Sequence, residues 1–407
     1  MTTDQWRREH ATSLIDFALR SVVPEGGFGW LDDRGRVDRT QPRPTYITCR
    51  MTHVAAIGTV LGHPGCRAAV DHGVAALRGV FRDDQYGGWY AALNWDGTPA
   101  DATKAAYAHA FVILAASSAV VAGADALDLL TEALACSTRH FWDPYANMVA
   151  EEWDRAFTTL DPYRGVNANM HTVEAYLAAA DVLALQHQPG AGEWQDRALD
   201  ILDRVLNKEA RANGWRIPEH FDAKWHPHLD LNRDRPADQF RPYGATIGHG
   251  LEWTRLALQA AASVGPRPWL LEAAEALYDR ALADGWAADG ADGFVYTTDW
   301  DGTPVVHERM HWVLAEAIGA SAALRTAELR DTTADLDRWW AYAQMYLIDK
   351  KYGSWHHELD RHNRPSATVW RGKPDVYHAL QATLLPGLPL APAIVPALSL
   401  EKGHSAQ

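Results

Sequence analysis

The chain has 407 residues, of which 47% are hydrophobic and 22% are charged, a composition that is typical of a folded globular protein and excludes a disordered one. The formal net charge of −14 argues against a broad phosphate-binding surface, so we expect neither nucleic acid nor an anionic membrane among its partners. The chain lacks a signal-peptide pattern and any apolar run long enough to span a bilayer, and its three cysteines are well separated, which together predict a cytoplasmic protein.

Helical periodicity dominates the chain and predicts an all-α fold. The clearest apolar or amphipathic segments predict helices over residues 102–123, 126–142, 169–186 and 269–285. Six short segments rich in glycine and aromatic residues separate pairs of such helices, and several contain turn residues typical of hairpins. They lie near residues 28, 88, 149, 215, 294 and 355. Six similar units of this kind predict one domain over residues 1–407, an (α/α)6 barrel with short hairpins along one rim.

Tryptophan is unusually frequent, with 18 residues against 9 phenylalanines. An indole offers a broad flat face and an N–H donor, whereas apolar bulk alone is supplied by Phe and Leu without a polar group to satisfy. Part of this set is expected in the core. The rest are candidates for flat surfaces on which a sugar ring stacks, namely Trp89, Trp312 and Trp355.

Three histidines occur near the starts of apolar helices in different units: His171 in "NANMH", His249 in "GHGLEW" and His378 in "DVYH". A single histidine in such a place is usually a core residue. Helices that start at one rim would, however, point all three side chains toward a common pocket. Because histidine exchanges protons near neutral pH, these three are the candidates for acid/base catalysis.

Several polar residues accompany the histidines. Glu252 follows His249 by three residues, on the same helical face, and is predicted to orient its ring. Gly248 and Gly250 flank His249 and are expected to leave open space through which a ligand approaches it. Arg50 lies inside an apolar helix, where an arginine is costly unless it is paired. The other candidates for binding a neutral, polyhydroxylated ligand are Asn167, Arg241, Tyr243 and Glu316.

The segment "HERMH", His307 to His311, matches the H-E-x-x-H pattern in which one helix presents two histidines to zinc, with Glu328 as a candidate third ligand. The segment directly follows a hairpin-like turn, so it straddles the start of a helix instead of lying within one. This position favours polar lining at the entry of the helix, and we predict no metal site.

The segments "NANMH", "GHGLEW", "GGWY", "SWHHELD" and "DVYH", in this order and spacing, resemble the N-acylglucosamine 2-epimerase superfamily. The resemblance covers nearly the whole chain, and it is greatest to the aldose–ketose isomerases of the mannose and sulfoquinovose types. It implies an (α/α)6 barrel that acts on sugars without a metal or redox cofactor. It also implies that Arg50 is the family's arginine and Glu252 its helix glutamate. The catalytic histidines would be His171, His249 and His378.

Two departures from the family bear on the substrate. The sulfoquinovose type has glutamine where this chain has His357 and Pro374, which disfavours a sulfonate and favours a plain hexose. The epimerase branch commonly has two adjacent aromatic residues after a positive one where this chain has "ERMHW", which disfavours an epimerase less strongly.

The resemblance therefore implies an enzyme that interconverts D-mannose and D-fructose, with D-lyxose and D-xylulose as a further pair. After ring opening, His378 would move the proton between C2 and C1 through a cis-enediol, with His249 as the partner acid/base. His171 would assist ring opening or bind hydroxyl groups. Arg50 would bind the carbonyl or enediolate oxygen.

Other functions stay open. Facing histidines serve a sugar 2-epimerase equally well. A glycoside hydrolase would need two carboxylates from among Glu151, Glu152 and Glu316. A zinc peptidase would use "HERMH". Both a monomer and a homo-oligomer are compatible with the sequence.

Overall fold

The computed structural model describes residues 4–405, and the side chains up to residue 401. Helices account for 52% of the structure and strands for 11%, which confirms the all-α class. None of the described helices is both long and apolar enough to cross a lipid bilayer. The α-helices of the described part are α1 (Asp4–Leu19), α2 (Thr45–Leu61), α3 (Cys66–Arg78), α4 (Ala106–Val121), α5 (Leu127–Cys136), α6 (Val166–Leu185), α7 (Ala191–Leu202), α8 (Ile247–Val264), α9 (Pro268–Gly285), α10 (His311–Thr326), α11 (Thr333–Tyr342), α12 (Tyr377–Leu384) and α13 (Ile394–Ser405).

All four helices predicted from periodicity are present, with shifts at their ends. The segment 126–142 is α5 followed by a π-helical turn, and similar turns follow α7 and α11. These turns span Ser137–Phe141, Asp203–Ala210 and Ala343–Leu347, and a 3-10 turn spans Leu385–Gly387.

The strands are only two or three residues long and belong to the segments between helices. They are β1 (Arg43–Pro44), β2 (Ala92–Leu93), β3 (Pro99–Asp101), β4 (Lys104–Ala105), β5 (Trp142–Asp143), β6 (Met148–Val149), β7 (Glu152–Trp153), β8 (Arg164–Gly165), β9 (His220–Phe221), β10 (Ala245–Thr246), β11 (Thr297–Thr298), β12 (Pro304–Val306), β13 (Arg309–Met310) and β14 (Glu358–Leu359). Antiparallel pairing joins β1–β2–β3, β4–β7, β5–β6, β10–β11–β12 and β13–β14.

The predicted hairpins are confirmed, because each of the six aromatic-rich segments contains an antiparallel pair. These pairs are Val22 with Phe28, Arg82 with Trp89, Trp142 with Val149, Phe221 with Pro227, Trp286 with Phe294, and Ile348 with Trp355.

The chain groups into two compact units. The N-terminal unit comprises Ile15–Ile201, Pro374–Tyr377 and the chain from Pro392 onward. The C-terminal unit comprises Leu202–Lys373, His378–Ala391 and the start of the chain up to Leu14. The prediction of one domain over residues 1–407 stays a prediction.

In the N-terminal unit, α4 packs against both α2 and α6, and most side chains of these three helices are buried. Helix α3 packs on α2 and α5 on α4, each through one apolar face. Gly73 of α3 permits the close approach to α2, because a Cβ there would lie 2.0 Å from Thr52 Oγ1. Long buried helices alternate with amphipathic ones, as the periodicity predicts.

The C-terminal unit repeats this arrangement. Helix α8 packs against α9 and α10, and α11 packs on α10. The residues of α8 and α10 are mostly buried over their first three turns, so polar side chains there are removed from water and need partners.

A buried cation that is paired with an aspartate precedes two of the long helices, α4 and α10, by two residues. It is Lys104 before α4 and Arg309 before α10, and each pairs with an aspartate of the preceding hairpin, Asp83 and Asp289. Burial opposes ionisation of Asp83, but hydrogen bonds from Arg155 and Lys104 outweigh it and hold the pKa of this carboxyl well below its usual range. At α8 the same position is Ala245, so no cation is present there to pair with an acidic residue.

Candidate active site

The first turn of α8 presents His249, and its ring is hydrogen-bonded to a carboxylate from outside the helix. His249 Nδ1 lies 2.9 Å from Oε2 of Glu219, and both side chains are almost completely buried. A carboxylate accepts, so the neutral ring carries its proton on Nδ1 and leaves Nε2 to exchange protons with a ligand. The sequence predicts a base–orienter pair at His249 with Glu252 as the orienter, whereas the hydrogen-bonded carboxylate in the structure is that of Glu219.

The residue predicted to orient His249 is corrected by this geometry. Glu252 does lie on the same helix, but its carboxylate accepts a hydrogen bond of 3.3 Å from Nη2 of Arg255, and Glu219 is the partner of His249. Arg255 also donates from Nε to Oε2 of Glu316 at 2.9 Å. One buried guanidinium therefore lies between two buried glutamates.

The indole of Trp312, in the first turn of α10, adjoins both catalytic candidates of this unit, His249 and His378. Its ring centroid is 5.3 Å from that of His249 and 6.0 Å from that of His378. Trp312 is half-buried, so part of its face is accessible, as a stacking surface for a sugar requires.

A second aromatic pair adjoins His378. The ring of His311 lies 6.0 Å from His378 and stacks on His357 at a centroid distance of 3.9 Å. The backbone N–H of His311 donates to the carbonyl oxygen of His357, which fixes the start of α10 against β14.

The glycines beside His249 have a different role from the predicted one. A Cβ on Gly248 would lie 2.2 Å from Cζ3 of Trp312, so this glycine makes room for the indole and not for a ligand. A Cβ on Gly250 would meet Ala281 at 3.6 Å, an ordinary contact with α9. The expectation of open space at the helix start is therefore wrong for both positions.

Gly248 and Gly250 form a matched pair of test sites. We expect Gly248→Ala to displace Trp312, to destabilise the protein by about 1–3 kcal/mol through overpacking, and to lower turnover. Gly250→Ala should leave turnover intact and raise stability by roughly 0.5–1 kcal/mol, because alanine favours a helix interior. Urea denaturation and a sugar isomerisation assay on both variants measure these effects. If both variants change stability and turnover in the same way, Gly248 does not have the special role of making room for Trp312.

The H-E-x-x-H segment does not form a helical zinc site. His307 and Glu308 precede β13, and only His311 belongs to α10. His307 Nδ1 is 2.9 Å from Asp289, and Glu328 lies beyond the far end of α10. The interpretation as polar lining at the helix entry is the one that this geometry favours.

Another group has the donor types that a metal needs. Ligand-type atoms of Glu252, Glu316 and His378 lie within 4.8 Å of one another. Arg255 already donates to both carboxylates, however, and its positive charge would repel a cation bound there. We therefore assign no metal to this group.

In the N-terminal unit, Arg50 is buried, and both of its terminal nitrogens are hydrogen-bonded to neighbouring side chains. Its Nη1 donates to Asp375 at 3.0 Å and its Nη2 to the hydroxyl of Tyr107 at 2.9 Å, while the guanidinium lies 4.4 Å from the ring centroid of Phe111. The pairing that a buried arginine needs is thus present, as predicted. The nearby charges hold the guanidinium protonated although burial opposes its charge.

His171 belongs to the same unit as Arg50 and shares its aromatic neighbours. The ring of His171 lies 5.1 Å from Tyr107 and 4.7 Å from Phe111, and Nδ1 is 3.8 Å from Oε2 of Glu174. That glutamate also accepts a hydrogen bond from the hydroxyl of Tyr377. The structure therefore brings His171 and Arg50 together within this unit.

Two of the three tryptophan candidates lie in the core and are removed from the proposed site. Trp89 and Trp355 are completely buried, and their indole N–H groups donate to the carbonyl of Leu77 and to Nε2 of His10. A ring without accessible surface offers no face to a sugar. These residues serve the packing of hairpins onto helices.

The remaining binding candidates, Tyr243, Arg241 and Asn167, differ in burial and in their hydrogen-bond partners. Tyr243 is buried, and its hydroxyl donates to Asp299 at 2.9 Å, which commits it to the structure of the loop before α8. Arg241 is half-buried, and its backbone is held by Asp238 and Asn232. Asn167 is half-buried in the first turn of α6, one turn before His171.

Sequence reasoning missed Glu219 and Arg255. The pairing of Glu219 with His249 spans thirty residues of sequence, which no helical spacing indicates. Arg255 could have been found by the criterion that identified Arg50, since both are charged residues inside apolar helices.

Comparisons with known proteins extend these observations to the whole chain. Residues 26–382 match the family model described as N-acylglucosamine 2-epimerase (GlcNAc 2-epimerase). A D-mannose isomerase of Thermobifida fusca is 48% identical over 399 residues, which are 97% of this chain and 96% of that protein. Another D-mannose isomerase, from Pseudomonas cannabina pv. alisalensis, is 45% identical over 402 residues, which are 97% and 95% of the two chains.

A crystal structure of a D-mannose isomerase is similar to this one with a TM-score of 0.88 and 28% identity, and it covers 95% of this chain and 98% of that chain. This likeness confirms the (α/α)6 barrel that the helix pairs predict.

Proposed function

The chain belongs to the N-acylglucosamine 2-epimerase family, and from this premise we propose that it is an aldose–ketose isomerase that interconverts D-mannose and D-fructose. The observation that carries the proposal is that Trp312 adjoins two histidines, His249, which is paired with Glu219, and His378. The two relatives that share almost half of its sequence bear the name D-mannose isomerase, which supports mannose as the sugar. D-Lyxose and D-xylulose are a further pair within the proposal.

Two acid/base groups around a flat indole match what the reaction needs. The sugar ring opens when an acid protonates the ring oxygen and a base takes the proton of the anomeric hydroxyl group, which becomes the carbonyl oxygen. A base then removes the proton from C2, and the same proton equivalent returns at C1 after the enediol forms. We assign the C2–C1 transfer to His378 and the transfers at the oxygens to Nε2 of His249, since Glu219 leaves that nitrogen available.

The roles of the N-terminal unit in this proposal rest on the family resemblance and on the chemistry of the residues. Arg50 is a fixed cation suited to bind a carbonyl or enediolate oxygen. His171 has a carboxylate neighbour and serves ring opening or hydroxyl binding. A cytoplasmic location and independence from metal and redox cofactors belong to the same proposal, and the three free cysteines fit a reducing compartment.

Incubation with D-mannose in D₂O tests the function. We expect D-fructose as the main product, with deuterium at C1 if the abstracted proton exchanges with solvent. Glucose as the sole product would replace the proposal with a 2-epimerase, the activity that the family's own description carries. Treatment with EDTA should leave the rate unchanged, and a loss that zinc restores would contradict metal independence.

The hydrolase alternative has no supporting geometry. Glu151 and Glu152 are consecutive residues of an extended segment, so their side chains point to opposite sides. Glu316 is hydrogen-bonded to Arg255 inside the C-terminal unit.

A further inference from the structure

Arg255 is a buried charge for which the proposed reaction gives no role. It lies in the third turn of α8 and is 2% exposed, between residues that are apolar or themselves buried. Placing a guanidinium there is costly unless its charge and its donors are compensated. The chain places this charge one helical turn after Glu252, the residue that the family resemblance singles out.

The donors of Arg255 are engaged by three side chains of the C-terminal unit. Nε donates to Oε2 of Glu316 at 2.9 Å, Nη2 to Oε1 of Glu252 at 3.3 Å, and Nη1 to Oε1 of Gln259 at 3.2 Å. The two glutamates are buried and come from different helices, α8 and α10. One positive charge is thus shared between two negative charges.

The same two carboxylates adjoin His378. An oxygen of Glu252, an oxygen of Glu316 and a ring nitrogen of His378 all lie within 4.8 Å of one another. Two carboxylates at this distance stabilise a protonated imidazole, and a histidine held in that form cannot accept a proton from C2 of a sugar. A neighbouring cation that cancels one of the carboxylates reduces this effect.

We propose that Arg255 is a positioning residue that, by neutralising one of the carboxylates of Glu252 and Glu316, keeps His378 able to act as a base near neutral pH. This inference rests on the proposed function only in one respect, that His378 is the base of the isomerisation. The effect of Arg255 on the protonation of His378 is a property of the protein without sugar.

Other titratable residues near His378, in space or in the sequence, have partners of their own. His311 of α10 lies 6.0 Å away, ring to ring, and stacks on His357. Asp375, three residues earlier in the chain, accepts a hydrogen bond from Arg50, and the hydroxyl of Tyr377 donates to Glu174. Arg255 is the cation that contacts both glutamates beside His378.

The test is a titration of the imidazole of His378 by NMR in ¹⁵N-histidine-labelled protein without sugar. Its signals are assigned by their loss in His378→Gln. In Arg255→Met we expect the titration midpoint to rise by about one pH unit or more, because a charge that opposes the proton is gone. In Arg255→Lys, which keeps the charge, the midpoint should stay close to that of the unchanged protein.

Glu316→Gln provides the opposite shift. It removes one negative charge beside His378, so the midpoint should fall, a direction that loss of packing does not produce. Arg216→Met, which breaks an arginine–aspartate pair with Asp284 in the same unit, is the matched control and should leave the midpoint unchanged. If Arg255→Met does not fold, the Glu316→Gln variant alone tests the proposal. A lower titration midpoint of His378 supports the proposal, and an unchanged or higher midpoint overturns it.

Unchanged midpoints in Arg255→Met and Glu316→Gln would overturn the proposal, as would equal shifts in Arg255→Met and Arg255→Lys. Activity provides a second readout, in which the acidic limb of kcat/KM should move to higher pH in Arg255→Met and turnover should recover at alkaline pH. Because the titration needs no substrate, a protein that shows these shifts but does not isomerise mannose would refute the proposed function alone.

Discussion

Replacing His378 by alanine should lower kcat/KM for mannose isomerisation by roughly 10²–10⁴-fold, the contribution typical of one acid/base group. The residue lies beside Trp312 and next to two buried carboxylates, so it has both a place near a stacked sugar and the electrostatic setting of a proton carrier. Exchange of the C2 proton of mannose into D₂O, followed by NMR, should disappear together with turnover.

His109→Gln is the matched control for this prediction. His109 is as deeply buried as His378, but its ring accepts from the backbone N–H of Trp89 and donates to the carbonyl of Ala105, so it supports the core. We expect a lower melting temperature and unchanged kcat/KM at a temperature where this variant is folded. A loss of activity below tenfold in His378→Ala would remove His378 from the mechanism.

Glu219→Gln should lower kcat by about 10²-fold with little change in KM. The carboxylate of Glu219 fixes both the orientation and the tautomer of His249, whereas the amide that replaces it can donate to Nδ1 and move the ring proton to Nε2. A sugar would still bind, but the nitrogen that faces it would no longer accept a proton in the ground state.

Steady-state kinetics with mannose measure this split between kcat and KM. The control is Glu209→Gln, which breaks an ion pair with Arg204 in the same unit and should leave both constants unchanged. If Glu219→Gln raises KM and leaves kcat intact, Glu219 binds the sugar and does not position His249.

Local patterns predicted most of the fold and part of the site. The helices and hairpins follow from periodicity and turn residues, which are properties of neighbouring positions, and their order along the chain is that of the structure. The histidines were found because a polar residue at the start of an apolar helix is visible in the sequence.

What the sequence could not supply are contacts between distant segments. Glu252 was predicted as the orienter of His249 because helical spacing places them on one face, yet Arg255 on the same face competes for Glu252, and Glu219 reaches His249 from another segment. Gly248 was misinterpreted for the same reason, because the indole that it accommodates comes from α10.

Tryptophan placement likewise depends on tertiary contacts. Trp89 and Trp312 are indistinguishable by composition, since both follow glycine-rich or hairpin segments. Only the surrounding structure shows that the first donates to a carbonyl in the core and that the second keeps part of its face accessible.

Ala245, two residues before α8, distinguishes this repeat from those that contain α4 and α10. Before α4 and α10, a buried cation and a hairpin aspartate lock the hairpin to the helix that follows. The α8 repeat has Ala245 at that position, and the carboxylate of Glu219, directly before β9, is hydrogen-bonded to His249. The α8 repeat thus lacks the cation–aspartate pair found before α4 and α10, and a buried carboxylate near its start is bonded to a candidate catalytic histidine.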